Sequence, residues 1–264
     1  MPSPTFVSPR THRPVLIGLL ALLASGCSSS PVTTATSCHQ VAHYAPYDPA
    51  EPLNRGLFAF NRTIDDYAVA PVARGYRHLP GFFQAGVHNF VANFGEPKVF
   101  INDVLQGNPR RSVNTVGRFL LNSTVGVLGL IDVSGRLGME RHKADFGQTF
   151  GVWNIANGPI VELPLLGTSN LRDAAGKVLG FAIDPFGGNS DTLDTLGTLD
   201  TAGGIVDGRA EALPLTDELR KEPDYYQALR NSVATRRAHF VGEGKVGALD
   251  AASWNCEDPV DGGR

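Results

Sequence analysis

Apolar residues recur in steps of three and four along much of the chain, the period of a helix with one apolar face. From Leu53 the series runs Leu57, Phe60, Ile64 and Tyr67 to Pro71, while Asn54, Arg55, Arg62, Asp65 and Asp66 occupy the other face. Proline lacks a backbone donor and crowds the preceding turn, so this helix is predicted to end at Pro71. A second series, Phe83, Val87, Phe90, Val91 and Phe94, halts at Gly95-Glu96-Pro97. A third, short one holds Val99, Phe100, Ile101, Val104 and Leu105 and stops at Gly107. Asn108-Pro109 then supplies an N-cap with proline at the first helical position, which reopens a helix. Along it stand Val113, Val116, Phe119 and Leu120, with Arg110, Arg111 and Arg118 interspersed.

Residues 123–131 (STVGVLGLI) are nearly all apolar or small. They suit either a buried turn of helix or an element dipping into a membrane. Residues 145–167 are aromatic and broken by glycine and proline, which predicts a loop or a short strand-like piece. Asn170 with Asp173 marks a further helix start, followed by Leu171, Ala174, Val178 and Phe181. Leu193, Leu196, Leu199 and Val206 suggest another helix, weakened by Gly203 and Gly204. Pro223 opens a closing helix through Tyr226, Leu229, Val233, Arg237 and Phe240. The class is mainly α. The Leu/Phe/Val stripes from Leu53 to Ile131 predict a domain lying in the plane of a membrane, against the alternative of an ordinary buried core.

The N-terminus adds an address. Arg10 and Arg13 precede a ten-residue apolar run, Val15 to Ala24, too short to span a bilayer but suited to a secretory signal. The following Leu23-Ala24-Ser25-Gly26-Cys27 resembles a bacterial lipobox, which implies cleavage before Cys27 and lipidation of that residue. Three acyl chains would anchor firmly where one binds only marginally. No later stretch is long and apolar enough to span, so the chain is anchored rather than spanning. The expected organisation is a signal peptide over 1–26, a lipidated tether over 27–47, a helical domain over 48–241 and a tail over 242–264.

Removing Cys27 from the cysteine count leaves Cys38 and Cys256, an even pair in an oxidising compartment. They could be bridged, or remain free thiols; metal binding by Cys38 with His39 and His43 is the third alternative. With 26 acids against 23 bases the chain has no electrostatic drive toward a phosphate backbone, so nucleic acid is a poor partner. No G-x-S-x-G elbow, H-E-x-x-H or P-loop occurs, and Asp145-Phe146-Gly147 lacks the rest of a kinase site. Asp65 and Asp66 read as solvated surface acids, and His142 as part of a basic surface with Arg141 and Lys143. No catalytic set, cofactor site or metal site is expected.

Ordered blocks then point to one family. DPAEPLNRGLFAFNRTIDDYAVAPVARGYRHLP (48–80) resembles the D-P-x-E-x-x-N-R opening of the MlaA/VacJ outer-membrane lipoproteins. NFVANFGEP (89–97), NDVLQG (102–107), GRFLLNSTVGVLGLIDV (117–133) and residues 145–173 are similar to its later blocks, and DYYQALRNSVATRR (224–237) to its closing helix. Residues 183–212 match little. The resemblance implies a helical disc in the inner leaflet of the outer membrane, facing the periplasm and associated with trimeric porins. It implies a central amphipathic channel that passes misplaced phospholipid to a periplasmic lipid-carrier protein. The channel-lining residues are not implied. A porin-associated scaffold without a lipid path and a secreted hydrolase are the competing readings.

Overall fold

The structure is a computed structural model that describes residues 46–183 and 191–247. Cys27, Cys38 and Cys256 lie outside the described residues, as do His39, His43, the signal sequence and the C-terminal tail beyond residue 247.

The first helix does not end at Pro71. Helix α1 (Glu51–Ile64) runs into a π-helical turn (Asp65–Val69) and on into α2 (Ala70–Tyr76). The amide of Ala70 reaches back five residues to the carbonyl of Asp65. This wider turn makes room for the proline ring, which in a regular α-helix would clash with the carbonyl four residues earlier. The break predicted at Gly95-Glu96-Pro97 is also absent: α3 (Gly81–Leu105) is one 25-residue helix containing Pro97. An interior proline costs about 3 kcal/mol. Here Glu96, Asn102 and Asp103 on either side of it are buried and bound to neighbouring elements, which offsets that cost.

Where caps were legible, the elements follow. Asn108 accepts from the Arg111 amide at 3.1 Å and opens α4 (Pro109–Thr124). Residues 125–131 form turns, then α5 (Val133–Arg136) and α6 (Phe146–Val152). The strand-like piece is a hairpin, β1 (Ile160–Leu163) antiparallel to β2 (Gly167–Asn170), with Ile160 opposite Asn170. Asn170 caps α7 (Leu171–Ala182), accepting from the Asp173 amide at 2.9 Å. Helix α8 (Asp191–Leu219) continues through Gly203, Gly204 and Pro214. Asp224 caps α9 (Tyr225–Val246), which Gly247 closes at φ 70°. Among the described residues, no helix is long and apolar enough to cross a membrane.

Helices α6 and α7 meet main chain to main chain at Gly147 and Gly176, and a Cβ on Gly176 would collide with the Gly147 main chain. Gly176→Ala is therefore expected to lower stability by about 1–3 kcal/mol, the usual cost of overpacking, read as a reduced melting temperature in detergent. A melting temperature equal to the parent's would show that the crossing is not tight.

The apolar core is small. Ala70, Ala73 and Tyr76 of α2 pack on Ala210 and Leu213 of α8, with Val87 and Val206 alongside. Most other buried side chains are polar or charged.

Candidate functional site: a polar interior behind apolar outer faces

Helix α4 shows how the chain distributes polarity. Its apolar stripe points outward: Val113 is 74% and Leu120 56% exposed, and Val116 is exposed beside them. The opposite stripe, Arg111, Ser112, Thr115, Arg118 and Asn122, is buried. On α3, Asn93, Glu96, Asn102 and Asp103 are buried, whereas Phe82, Phe83, Phe100 and Val104 are exposed. On α1, Asn54 is the buried residue, while Leu53 and Phe60 face out. The buried-turn reading of 123–131 is likewise overturned, because Val125, Val127, Leu128, Leu130 and Ile131 are all exposed. Val127 and Leu128 hold φ of 54° and 56°, a region that branched residues seldom occupy. Apolar exposure on this scale marks an interaction surface for protein or membrane.

The interior satisfies its polar groups by long-range pairing, as burial requires. Arg118 is almost fully buried. Its Nε donates to Glu96 at 3.2 Å, its Nη2 to Asp132 at 3.1 Å, and its Nη1 to the Met139 carbonyl. Asn122 and Ser134 also donate to Asp132, at 3.0 and 2.9 Å. Burial alone would raise the Asp132 carboxyl; hydrogen bonds from the Gly135 amide, Ser134 and Asn122 outweigh it and hold the group well below the usual carboxylate range. The buried carboxyl of Glu96 is pushed up by desolvation, against the opposing pull of Arg118.

Next along α3, Asp103 accepts from Thr115 at 2.7 Å, and its carboxylate lies 3.0 Å from His142 Nε2. His142 is thus a buried partner of Asp103, not a surface base; the sequence offered no sign of a contact 39 residues away. Thr149 donates to Asn102 at 2.7 Å, and Gln148 to the Phe240 carbonyl at 2.6 Å, tying α6 to α3 and α9. Asp65 and Asp66 are not merely solvated either. Arg209 binds Asp65 through two nitrogens at 2.6 and 2.8 Å, and Arg220 reaches Asp66 at 2.7 Å, so the π-turn carboxylates anchor α8 and its exit.

Between α3, the segment 141–145 and α9 lies a cavity of about 870 Å³. It adjoins a second of about 380 Å³ between α7, β2 and α9; Lys98, Ala144, Asp145, Val233 and Arg237 line both. Asp145 caps α6 through the Gln148 amide at 2.7 Å and binds Arg237 at 2.7 and 3.1 Å. Desolvation would raise its carboxyl, but Arg237 holds it below the ordinary range. Arg237 also donates to Asp173 at 2.9 Å, and burial pushes the neighbouring Lys177 ammonium down. The walls therefore combine charged groups with Val99, Val233, Phe240 and Phe181, an amphipathic lining without a nucleophile–base–acid set among the described residues. The described group with metal-ligand chemistry is elsewhere: His88 Nδ1 stands 2.8 Å from Asp207 and 3.3 Å from Glu211.

Comparison with known proteins follows the same lines. A family model described as MlaA lipoprotein matches residues 46–239. The Escherichia coli intermembrane phospholipid transport system lipoprotein MlaA is 32% identical, over 75% of this chain and 80% of that protein. The Haemophilus influenzae protein of the same name is 28% identical, over 88% and 92%. An uncharacterized protein of Rickettsia felis is 34% identical, over 74% and 78%. A solved structure described as the structural basis for maintenance of bacterial outer membrane lipid asymmetry is 31% identical. It aligns with a TM-score of 0.64, over 74% of this chain and 98% of that one.

Proposed function

This chain belongs to the MlaA lipoprotein family, and on that premise we propose that it carries phospholipid between membranes of a Gram-negative envelope. It sits in the inner leaflet of the outer membrane, held by acylated Cys27 and by the outward apolar faces of α1, α3 and α4. Misplaced outer-leaflet phospholipid passes through its polar interior to a periplasmic carrier, and trimeric porins are its membrane partners. The reaction is transfer, not catalysis: no bond in the lipid is made or broken by this chain.

The observation that supports this reading is the inverted distribution of polarity, with Val113 and Leu120 exposed on the same helix that buries Arg111 and Arg118. A water-soluble fold hides its apolar stripe; a lipid-embedded one shows it and gathers polar groups inside. In such an interior a headgroup finds charged and hydrogen-bonding side chains in place of its hydration water. Acyl tails remain along apolar walls.

The test is the phospholipid content of the outer leaflet in cells with and without this protein. Its loss is expected to raise surface phospholipid several-fold, and re-expression to restore the original level. Unchanged surface phospholipid in cells lacking the protein would favour the scaffold reading instead.

A further inference from the structure

The acids on the wall of the larger cavity are already matched. Glu96 binds Arg118 at 3.2 Å, Asp145 binds Arg237 at 2.7 Å, and Glu243 lies 3.1 Å from His239. Several of the cations are not. Lys98, Lys143 and Arg236 line the same cavity, and among the described residues no carboxylate pairs with their charged ends. Arg141 has Asp132 at 3.6 Å, beyond hydrogen-bond reach, and that carboxylate already serves Arg118, Asn122 and Ser134. Arg141 Nε and Nη2 are buried without a hydrogen-bond partner. Beside them His142, only 6% exposed, gives its Nε2 to Asp103 and leaves Nδ1 buried and unpartnered.

Surplus positive charge around one concavity, with orphaned nitrogens buried in the wall behind it, calls for an oxyanion. We propose that Lys98, Arg141, Lys143 and Arg236 form a subsite for the phosphate of a phospholipid headgroup, selecting heads of net negative charge over zwitterionic ones. This rests on the lipid-passage reading and deepens it by naming the charge class of the substrate. The guanidiniums supply forked donors to phosphate oxygens and the ammoniums supply compact charge. A zwitterionic head brings its own cation into the same space. That cation meets unpaired lysine and arginine, while Glu96, Asp145 and Glu243 are engaged elsewhere. An anionic head with an uncharged polar end meets no such repulsion.

The experiment uses the full lipoprotein purified in neutral detergent, with phosphatidylglycerol and phosphatidylethanolamine of identical acyl chains competing for it, and inorganic phosphate as a third probe. Phosphatidylglycerol is expected to bind about tenfold more tightly, equivalent to ~1.4 kcal/mol. A Lys98→Gln/Arg236→Gln variant should lose that preference, binding the two lipids with equal affinity, and a variant that still prefers phosphatidylglycerol tenfold would overturn the subsite. Neither side chain takes part in the described pairing, so the variant's melting temperature should match the parent's, which separates lost binding from lost fold. Equal binding of both lipids by the parent would overturn the subsite while leaving lipid passage standing. Binding of neither lipid would sink the passage reading itself. Inorganic phosphate displacing phosphatidylglycerol at equal concentration would make this a free-phosphate site and overturn the headgroup assignment.

Discussion

Replacing Arg118 by alanine is expected to cost about 3–5 kcal/mol of stability, the usual consequence of removing one partner from a buried ion pair. Glu96 and Asp132 both lose their guanidinium, and the Met139 carbonyl loses a donor. Denaturant unfolding in detergent measures the change. The deficit should also acquire a characteristic pH dependence. Burial already raises the Glu96 carboxyl, and without Arg118 it rises further. The folded variant then takes up its proton at a higher pH than the unfolded chain does, so its stability increases as pH falls toward the ordinary glutamate range. Asp132 acts in the opposite sense. Its folded carboxyl is depressed, so its contribution is present above the unfolded value near 4 and fades below that value. Partial recovery of the variant is therefore expected as pH falls from neutrality toward the ordinary glutamate range, with decline below the ordinary aspartate range. A loss below ~1 kcal/mol would show that water reaches the pair.

The second large effect lies on the outside of the same helix. A Cys27→Ala protein made without residues 1–26 should bind liposomes without any acyl anchor. Val113→Lys/Leu120→Lys should weaken that binding by at least about 100-fold, since burying each of these side chains contributes about 1.5–3 kcal/mol. Liposome flotation across a lipid titration provides the measurement, with Glu222→Lys, at an exposed polar position, as the matched control. A monomeric protein that ignores liposomes before any substitution would remove the physical basis for a membrane-embedded passage.

Local chemistry made much of the fold legible in advance. Asn108 and Asn170 announced helix starts, because an N-cap acts within three residues of itself; Pro223 announced the last one a step early, since Asp224 caps it and Tyr225 is its first residue. The two prolines misled for the opposite reason. Whether Pro71 and Pro97 stop a helix depends on a π-turn upstream and on ion pairs across α3 and α4, neither of which is a local property. Periodicity identified the stripes but not which stripe faces inward. That choice depends on the solvent, and only the exposure of Val113 against the burial of Arg118 decides it. The polar series Arg111, Thr115, Arg118, Asn122 was visible at helical spacing and carried the missing signal. The pairing of His142 with Asp103, and of Asp65 with Arg209, spans too much sequence for any spacing rule. The family resemblance reached the same architecture by its ordered blocks, yet said nothing of Lys98, Arg141, Lys143 or Arg236.

So small an apolar core, set against so many outward-facing leucines and phenylalanines, makes the surroundings part of the fold. In water the molecule gathers little hydrophobic driving force and must still desolvate Arg118, Glu96 and Asp103. Among hydrocarbon chains the outer faces are solvated and those internal pairs are shielded from competing water. Measured stability therefore belongs jointly to the protein and its amphiphile. A short-chained detergent that leaves Val127 and Leu128 uncovered is expected to loosen the 125–131 turns before any helix melts.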